Sequence, residues 1–169
     1  MIICGIDPGP TRSAYVIYDT DTRQLRSTRA FPAFGKVDNG TMSAVIMEVS
    51  FDWMAIERIA HMGMPSVGED IFDTVEWIGR FIEMRRNRGN WERVKRHQVK
   101  MHLCGSMKAK DGNIRQALID RYGGKDAAIG KKHTPGPLFG LSGDCWSALA
   151  VAITFSETLL PAGEIGDTK

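Results

Sequence analysis

With 169 residues, 43% apolar and 25% charged, the chain has the composition of a globular domain able to bury its own core. No apolar run reaches the length of a membrane span, no basic stretch precedes the first one as in a secretory leader, and Cys4, Cys104 and Cys145 lack paired spacing. A cytoplasmic protein with reduced thiols and no membrane contact is expected, its net charge of +2 concealing a marked internal asymmetry.

Residues 2–7 are an apolar run that ends on Asp7 and is stopped by Pro8, Gly9 and Pro10, the pattern of a buried strand and a turn. Residues 13–18 predict a second strand, close enough to pair antiparallel with the first. After a turn over 19–22, a third strand is expected over 24–31 and a loop over 32–40. A helix follows over 41–50, with Thr41 as its N-cap. Residues 53–59 read as a fourth strand, whose alternation puts Ala55, Glu57 and Ile59 on one face. Its distance along the chain from the first strand allows a parallel crossover between them.

Residues 61–65 suggest a flexible loop, and the apolar spacing of Ile71, Val75, Ile78, Phe81 and Ile82 an amphipathic helix over 70–88. A short basic strand is expected over 91–96, and helices over 97–103 and 113–122. Six glycines, two prolines and three lysines make 123–143 a mobile basic loop in this reading. The last helix, 144–155, is almost wholly apolar and carries Asp144 in its first turn. One domain over 1–160 and a tail over 161–169 complete the expected organisation.

Asp7 and Glu57 each stand near the C-terminal end of an apolar strand, and Asp144 opens an apolar helix. Each alone has a local explanation, as a turn former or as the complement of a helix dipole. Three such isolated acids together point to a shared divalent-cation site, because adjacent bare carboxylates repel and hard cations seek oxygen ligands. Residues 80–132 hold 15 Lys and Arg against five acids, whereas the first 79 residues hold six against 11. A basic block spread over several elements favours a cradle for a polyanion over one solvated helix face. Residues 124–132 have neither the glycine spacing nor the preceding strand of a phosphate-binding loop.

Three segments in order, 2–9 (IICGIDPG), 55–57 (AIE) and 144–152 (DCWSALAVA), resemble the catalytic segments of RuvC-type Holliday junction resolvases, endonucleases of the RNase H-like superfamily. Residues 98–100 (QVK) and 108–115 (KAKDGNIR) are similar to that family's basic region, in a form associated with phage-borne members. The resemblance implies an α/β, RNase H-like fold: a five-stranded mixed sheet flanked by helices, with the first and fourth strands adjacent. It implies that Asp7, Glu57 and Asp144 hold two Mg²⁺ ions, for which Mn²⁺ would substitute. It also implies a homodimer, with the helix over 70–88 in its interface, that cuts opposing strands of four-way or other branched DNA. Such an enzyme would serve DNA recombination and repair in the cytosol of a bacterium or a phage-infected host.

The chain departs from the family pattern at three places. Ser147 stands where the family has a second acid one turn into the last helix, so that it would act on the metal through water. Ala60 replaces an aromatic that wedges into the junction, leaving His61, Met62 and Met64 as the junction-core loop. The family's catalytic lysine corresponds best to Lys110 with one residue deleted, with Lys108 as competitor. Arg85, Arg86, Arg88, Arg93, Lys95, Arg96, Lys100, Lys108, Arg115, Lys131 and Lys132 are the expected phosphate contacts. Two alternatives stay open: a junction-binding module whose reduced acid set has lost catalysis, and another RNase H-like nuclease acting on RNA–DNA hybrids or in debranching.

Overall fold

The computed structural model describes residues 1–59 and 68–160. Its first strand, β1 (Ile2–Asp7), has a fully buried middle, as the unbroken apolar run requires. β2 (Arg12–Asp19) returns antiparallel, with Ile2 facing Asp19 and Asp7 facing Ala14. β3 (Gln24–Leu25) and β4 (Phe34–Asp38) both pair with the outer edge of β2, so that Lys36 faces Ala14. α1 (Asn39–Glu48) leads to β5 (Trp53–Arg58), which lies parallel to β1 with Ile6 beside Ile56. After α2 (Glu69–Arg86), β6 (Asn90–Lys95) extends the parallel side, with Glu57 beside Val94. The sheet order is β3-β2-β1-β5-β6, with β4 also on β2, giving six strands among the described residues where five are expected.

The expected third strand over 24–31 is cut short because Thr28 and Phe31 close a turn. The Phe31 N–H donates to the Thr28 hydroxyl, which in turn donates to the Phe31 carbonyl. The chain resumes pairing only at Phe34, inside what reads as loop. The cap of α1 likewise moves, since Asp38 accepts from both the backbone and the hydroxyl of Thr41 at 2.9 and 2.7 Å. Asp38 is thus the N-cap, and Thr41 is the third residue of the helix it caps.

Strand alternation divides the core into two layers. Ile3, Ala14, Val16, Ala55 and Val94 face α6 (Cys145–Thr158), while Cys4, Ile6, Tyr15, Met54 and Ile56 face α1 and α2. Burial of each large α6 side chain, such as Leu149 or Phe155, contributes about 1.5–3 kcal/mol. The helix lies directly on β1 at Gly5, where a Cβ would stand 2.4 Å from the Ala148 carbonyl oxygen and 2.8 Å from the Ala152 Cβ. Glycine on the strand and alanines on the helix therefore set how closely the start of α6 approaches the end of β1.

α3 (Arg96–Cys104) and α4 (Asp111–Arg121) pack beside α6. Residues 123–143 are not the mobile loop their composition suggests. They form α5 (Lys125–Ala128) and a hairpin of β7 (Gly130–Lys131) with β8 (Thr134–Pro135), held down by buried Ala128, Leu138 and Leu141. At Gly136 a Cβ would lie 2.3 Å from the Ala127 carbonyl oxygen, so this glycine serves close packing. No helix among the described residues is long and apolar enough to cross a membrane.

Candidate active site

Because β1 and β5 run parallel, their C-terminal ends share one edge of the sheet. The register that pairs Ile6 with Ile56 sets Asp7 beside Glu57 there, both on the face covered by α6. α6 runs back along β1, so its N-cap residue Asp144 comes to the same edge. The turn after Asp7 is held by a buried polar network. Ser13 donates to the Asn39 side chain at 2.7 Å, Asn39 donates to the carbonyls of Gly9 and Pro10, and the Gly9 N–H reaches the Ser13 hydroxyl at 3.3 Å. This network fixes the backbone next to Asp7 against the first turn of α1.

Burial, together with the charges of Glu57 and Asp144, pushes the Asp7 carboxyl up to about 7, against the opposing pull of Arg96 and Lys36. No described group donates a hydrogen bond to Asp7 that would offset this. Burial also raises Glu57, with Arg96 acting in the other direction. The charges of Asp144 and Asp7 add to burial in lifting the Cys145 thiol to about 11, which places both acids around the start of α6. Glu57 and Asp144 therefore both lie close enough to act on Asp7.

Two of them are bound to basic side chains. Lys36 Nζ lies 2.5 Å from an Asp144 oxygen, and Arg96 Nη1 lies 3.2 Å from Glu57 Oε2. The other Arg96 nitrogen binds Asp111 at the start of α4. Burial works against the charge of Arg96, yet Glu57, Asp111 and Asp7 hold its pKa above the ordinary value. Beside these groups opens a groove of about 330 Å³ lined by Arg96, Asp111, Arg115, Asp144, Trp146 and Ser147. Ser147 thus faces the same groove as Asp144 and Asp111.

The predicted basic residues fall into separate groups. Arg96 and Arg115 line the groove, Arg115 lying over the Trp146 ring, and Lys100 is close enough to act on the charge of Glu57. Lys110 is exposed at the N-cap of α4, while Lys108 lines a separate cavity of about 400 Å³ with Cys104, Gln116 and Asp120. Lys131 and Lys132 are exposed on the β7–β8 hairpin. Arg93 and Lys95 flank the buried Val94 and project from the opposite face of β6.

Arg85 must be withdrawn as a phosphate contact. It is 6% exposed, donates to the Phe51 carbonyl at 2.6 Å and stacks over the Phe51 ring. Arg86 and Arg88 are exposed, but they precede Asn90, which pairs with Trp53 at the sheet edge remote from Glu57. His61, Met62 and Met64 lie outside the described residues. The sequence reading missed Lys36, Asn39 and Asp111. Asn39 stands immediately before Gly40 and reads as a turn residue, and Asp111 as an ordinary helix-start acid.

No family model and no curated protein matches the sequence. The Thermus thermophilus RuvC structure superposes with a TM-score of 0.62 at 16% identity, over 92% of this chain and 93% of that one. T. thermophilus RuvC in complex with Holliday junction substrate gives the same values. The chain has the RuvC fold.

In this RuvC fold, as the side chains stand, no group of three His, Cys, Asp or Glu residues among those described is gathered closely enough to hold an ion. Asp144 is turned to Lys36 and Glu57 to Arg96. The donor chemistry nevertheless fits a divalent cation. Three carboxylates crowd one sheet edge, Asp7 is driven toward neutrality by its burial and by the other two, and resident ammonium and guanidinium groups supply the neutralising charge. Closing on an ion requires Asp144 and Glu57 to exchange those basic partners for it.

Proposed function

We propose that the chain is a divalent-metal-dependent endonuclease for branched DNA, with the four-way junction as its principal substrate. The observation that carries this reading is the placement of Asp7 beside Glu57 and Asp144, whose charges both act on it, at one edge of a RuvC fold, next to a groove bearing Arg96 and Arg115. Asp7, Glu57 and Asp144 would hold Mg²⁺, with Mn²⁺ as substitute and Ser147 contributing through water. Ions bound there supply Lewis acidity for activating water and for the charge that develops in phosphodiester hydrolysis. Arg96, Arg115 and Lys100 bind and orient the DNA phosphates, and exposed Lys108, Lys110, Lys131 and Lys132 extend the positive surface. The junction-complexed state of the similar T. thermophilus protein supports a branched substrate.

Cutting both strands of a junction calls for two sites, and a homodimer provides them. Its interface would lie on α2, a reading supported by Phe72 and Val75, which are 65% and 51% exposed. The test is a cleavage gel on a synthetic four-way junction, an RNA–DNA hybrid and a flap, with and without Mg²⁺. Paired nicks in the junction only with Mg²⁺, abolished by Asp7→Asn, are expected; a fully active Asp7→Asn protein defeats the proposal. Ser147 in place of a fourth acid supports a second reading, a junction-binding module without catalysis, which predicts tight binding and no nicking with any divalent ion.

A further inference from the structure

We propose that Lys36 is a catalytic residue of this site, its ammonium contacting a non-bridging oxygen of the phosphate to be cut; this rests on the nuclease reading above. The sheet register carries the inference. Lys36 faces Ala14, Ala14 faces Asp7, and Asp7 lies beside Glu57, so these residues form one row across four strands. Paired residues on neighbouring strands project to the same face, and Ala14 belongs to the layer beneath α6. Lys36 therefore rises on the face that holds the acids. The small Ala14 methyl leaves the space between lysine and Asp7 open for its side chain.

The position is rigid. The Lys36 carbonyl accepts from the Arg12 guanidinium at 2.6 Å, and β4 is paired with β2 on both sides of this point. A site residue on a strand is held more firmly than one on a loop. Neither sequence candidate has this placement, Lys108 lining another cavity and Lys110 standing exposed at a helix cap.

The ion pair with Asp144 does not account for the lysine as a structural element. Both side chains are 49% exposed, and pairs that open to solvent contribute little to stability. An ammonium so placed changes partner readily. With Asp144 engaged by a divalent ion, the Lys36 ammonium would be released to pair with a phosphate bound at the same sheet edge. In the unliganded chain the same ammonium neutralises Asp144 and competes with a metal for it.

The experiment compares the wild type with Lys36→Met, Lys36→Arg and Lys110→Met in single-turnover cleavage of a four-way junction in Mg²⁺. Junction affinity is measured in Ca²⁺, and Mn²⁺ binding to DNA-free protein by calorimetry. Lys36→Met should slow cleavage about 100-fold with little change in junction affinity, while Lys36→Arg recovers part of the rate. Mn²⁺ should bind Lys36→Met more tightly than the wild type. Thermal melts establish that the variants fold, as a half-exposed side chain leads one to expect. Cleavage by Lys36→Met at the wild-type rate overturns the role of Lys36 alone. A wild type that cuts no substrate overturns the nuclease reading and this inference with it. Unchanged Mn²⁺ affinity in Lys36→Met overturns the shared claim of ammonium and ion on Asp144.

Discussion

Among the described residues, Arg96 is the only link between the partly buried Glu57 carboxylate and a positive charge at hydrogen-bond distance, its Nη1 lying 3.2 Å from Glu57 Oε2. Side-chain exposures of 21% and 13% make this a partly buried pair rather than a surface one. Removing one partner leaves the other desolvated and uncompensated. Arg96→Met should therefore destabilise the metal-free chain by roughly 2–4 kcal/mol in urea unfolding, and adding Glu57→Gln should recover much of the loss. Simple addition of the two single-mutant effects would show that the pair is not coupled.

Gly5→Ala tests how α6 is seated. The new methyl would meet the Ala148 carbonyl oxygen at 2.4 Å, and a backbone atom inside a helix cannot step aside. A loss of about 1–3 kcal/mol or more is expected, read as a lower thermal midpoint. Adding Ala152→Gly removes the second contact but not the first, so the double variant should remain destabilised. Recovery to wild-type stability would place the constraint on Ala152 instead.

Arg85→Met separates packing from DNA binding. Arg85 sits in a run of arginines, yet it falls three residues after Ile82 and seven after Ile78, on the buried stripe of α2. Its loss leaves the Phe51 carbonyl without its 2.6 Å donor and should lower stability by about 1–3 kcal/mol. Junction affinity at a temperature where the variant is folded should match the wild type. A large fall in affinity would return Arg85 to the DNA-contacting set.

These cases show which parts of the fold a sequence reveals. β1, β5 and α6 are continuous apolar segments, and their burial on all sides writes itself into composition. β4 is a half-exposed edge strand, FGKVD, in which glycine and two charges erase the apolar pattern. The place of Lys36 then depends on how β4 pairs with β2, a long-range register that spacing along the chain does not contain. Asp7, Glu57 and Asp144 stand out because each is a lone acid at the end or start of an apolar run. Asp111 interrupts none, and only the fold brings it to Arg96.

The raised pKa of Asp7 has a direct consequence for pH. In the folded, metal-free chain its carboxyl keeps the proton up to about 7, whereas in the unfolded chain it releases it around the ordinary value of 3.8. Between these values the folded state binds more protons, so its contribution to stability falls as pH rises through that window and is level outside it. The full difference is roughly 4 kcal/mol, from about 1.4 kcal/mol for each tenfold change in acidity. Asp7→Asn removes the penalty: the variant should be the more stable protein at pH 8, with its advantage shrinking as pH falls toward 4. Mg²⁺ should offset the same penalty in the wild type at pH 8 and do far less for Asp7→Asn. Urea unfolding at pH 4, 6 and 8 with and without Mg²⁺ decides the matter, and parallel stability profiles for the two proteins would show that Asp7 ionises freely in the fold.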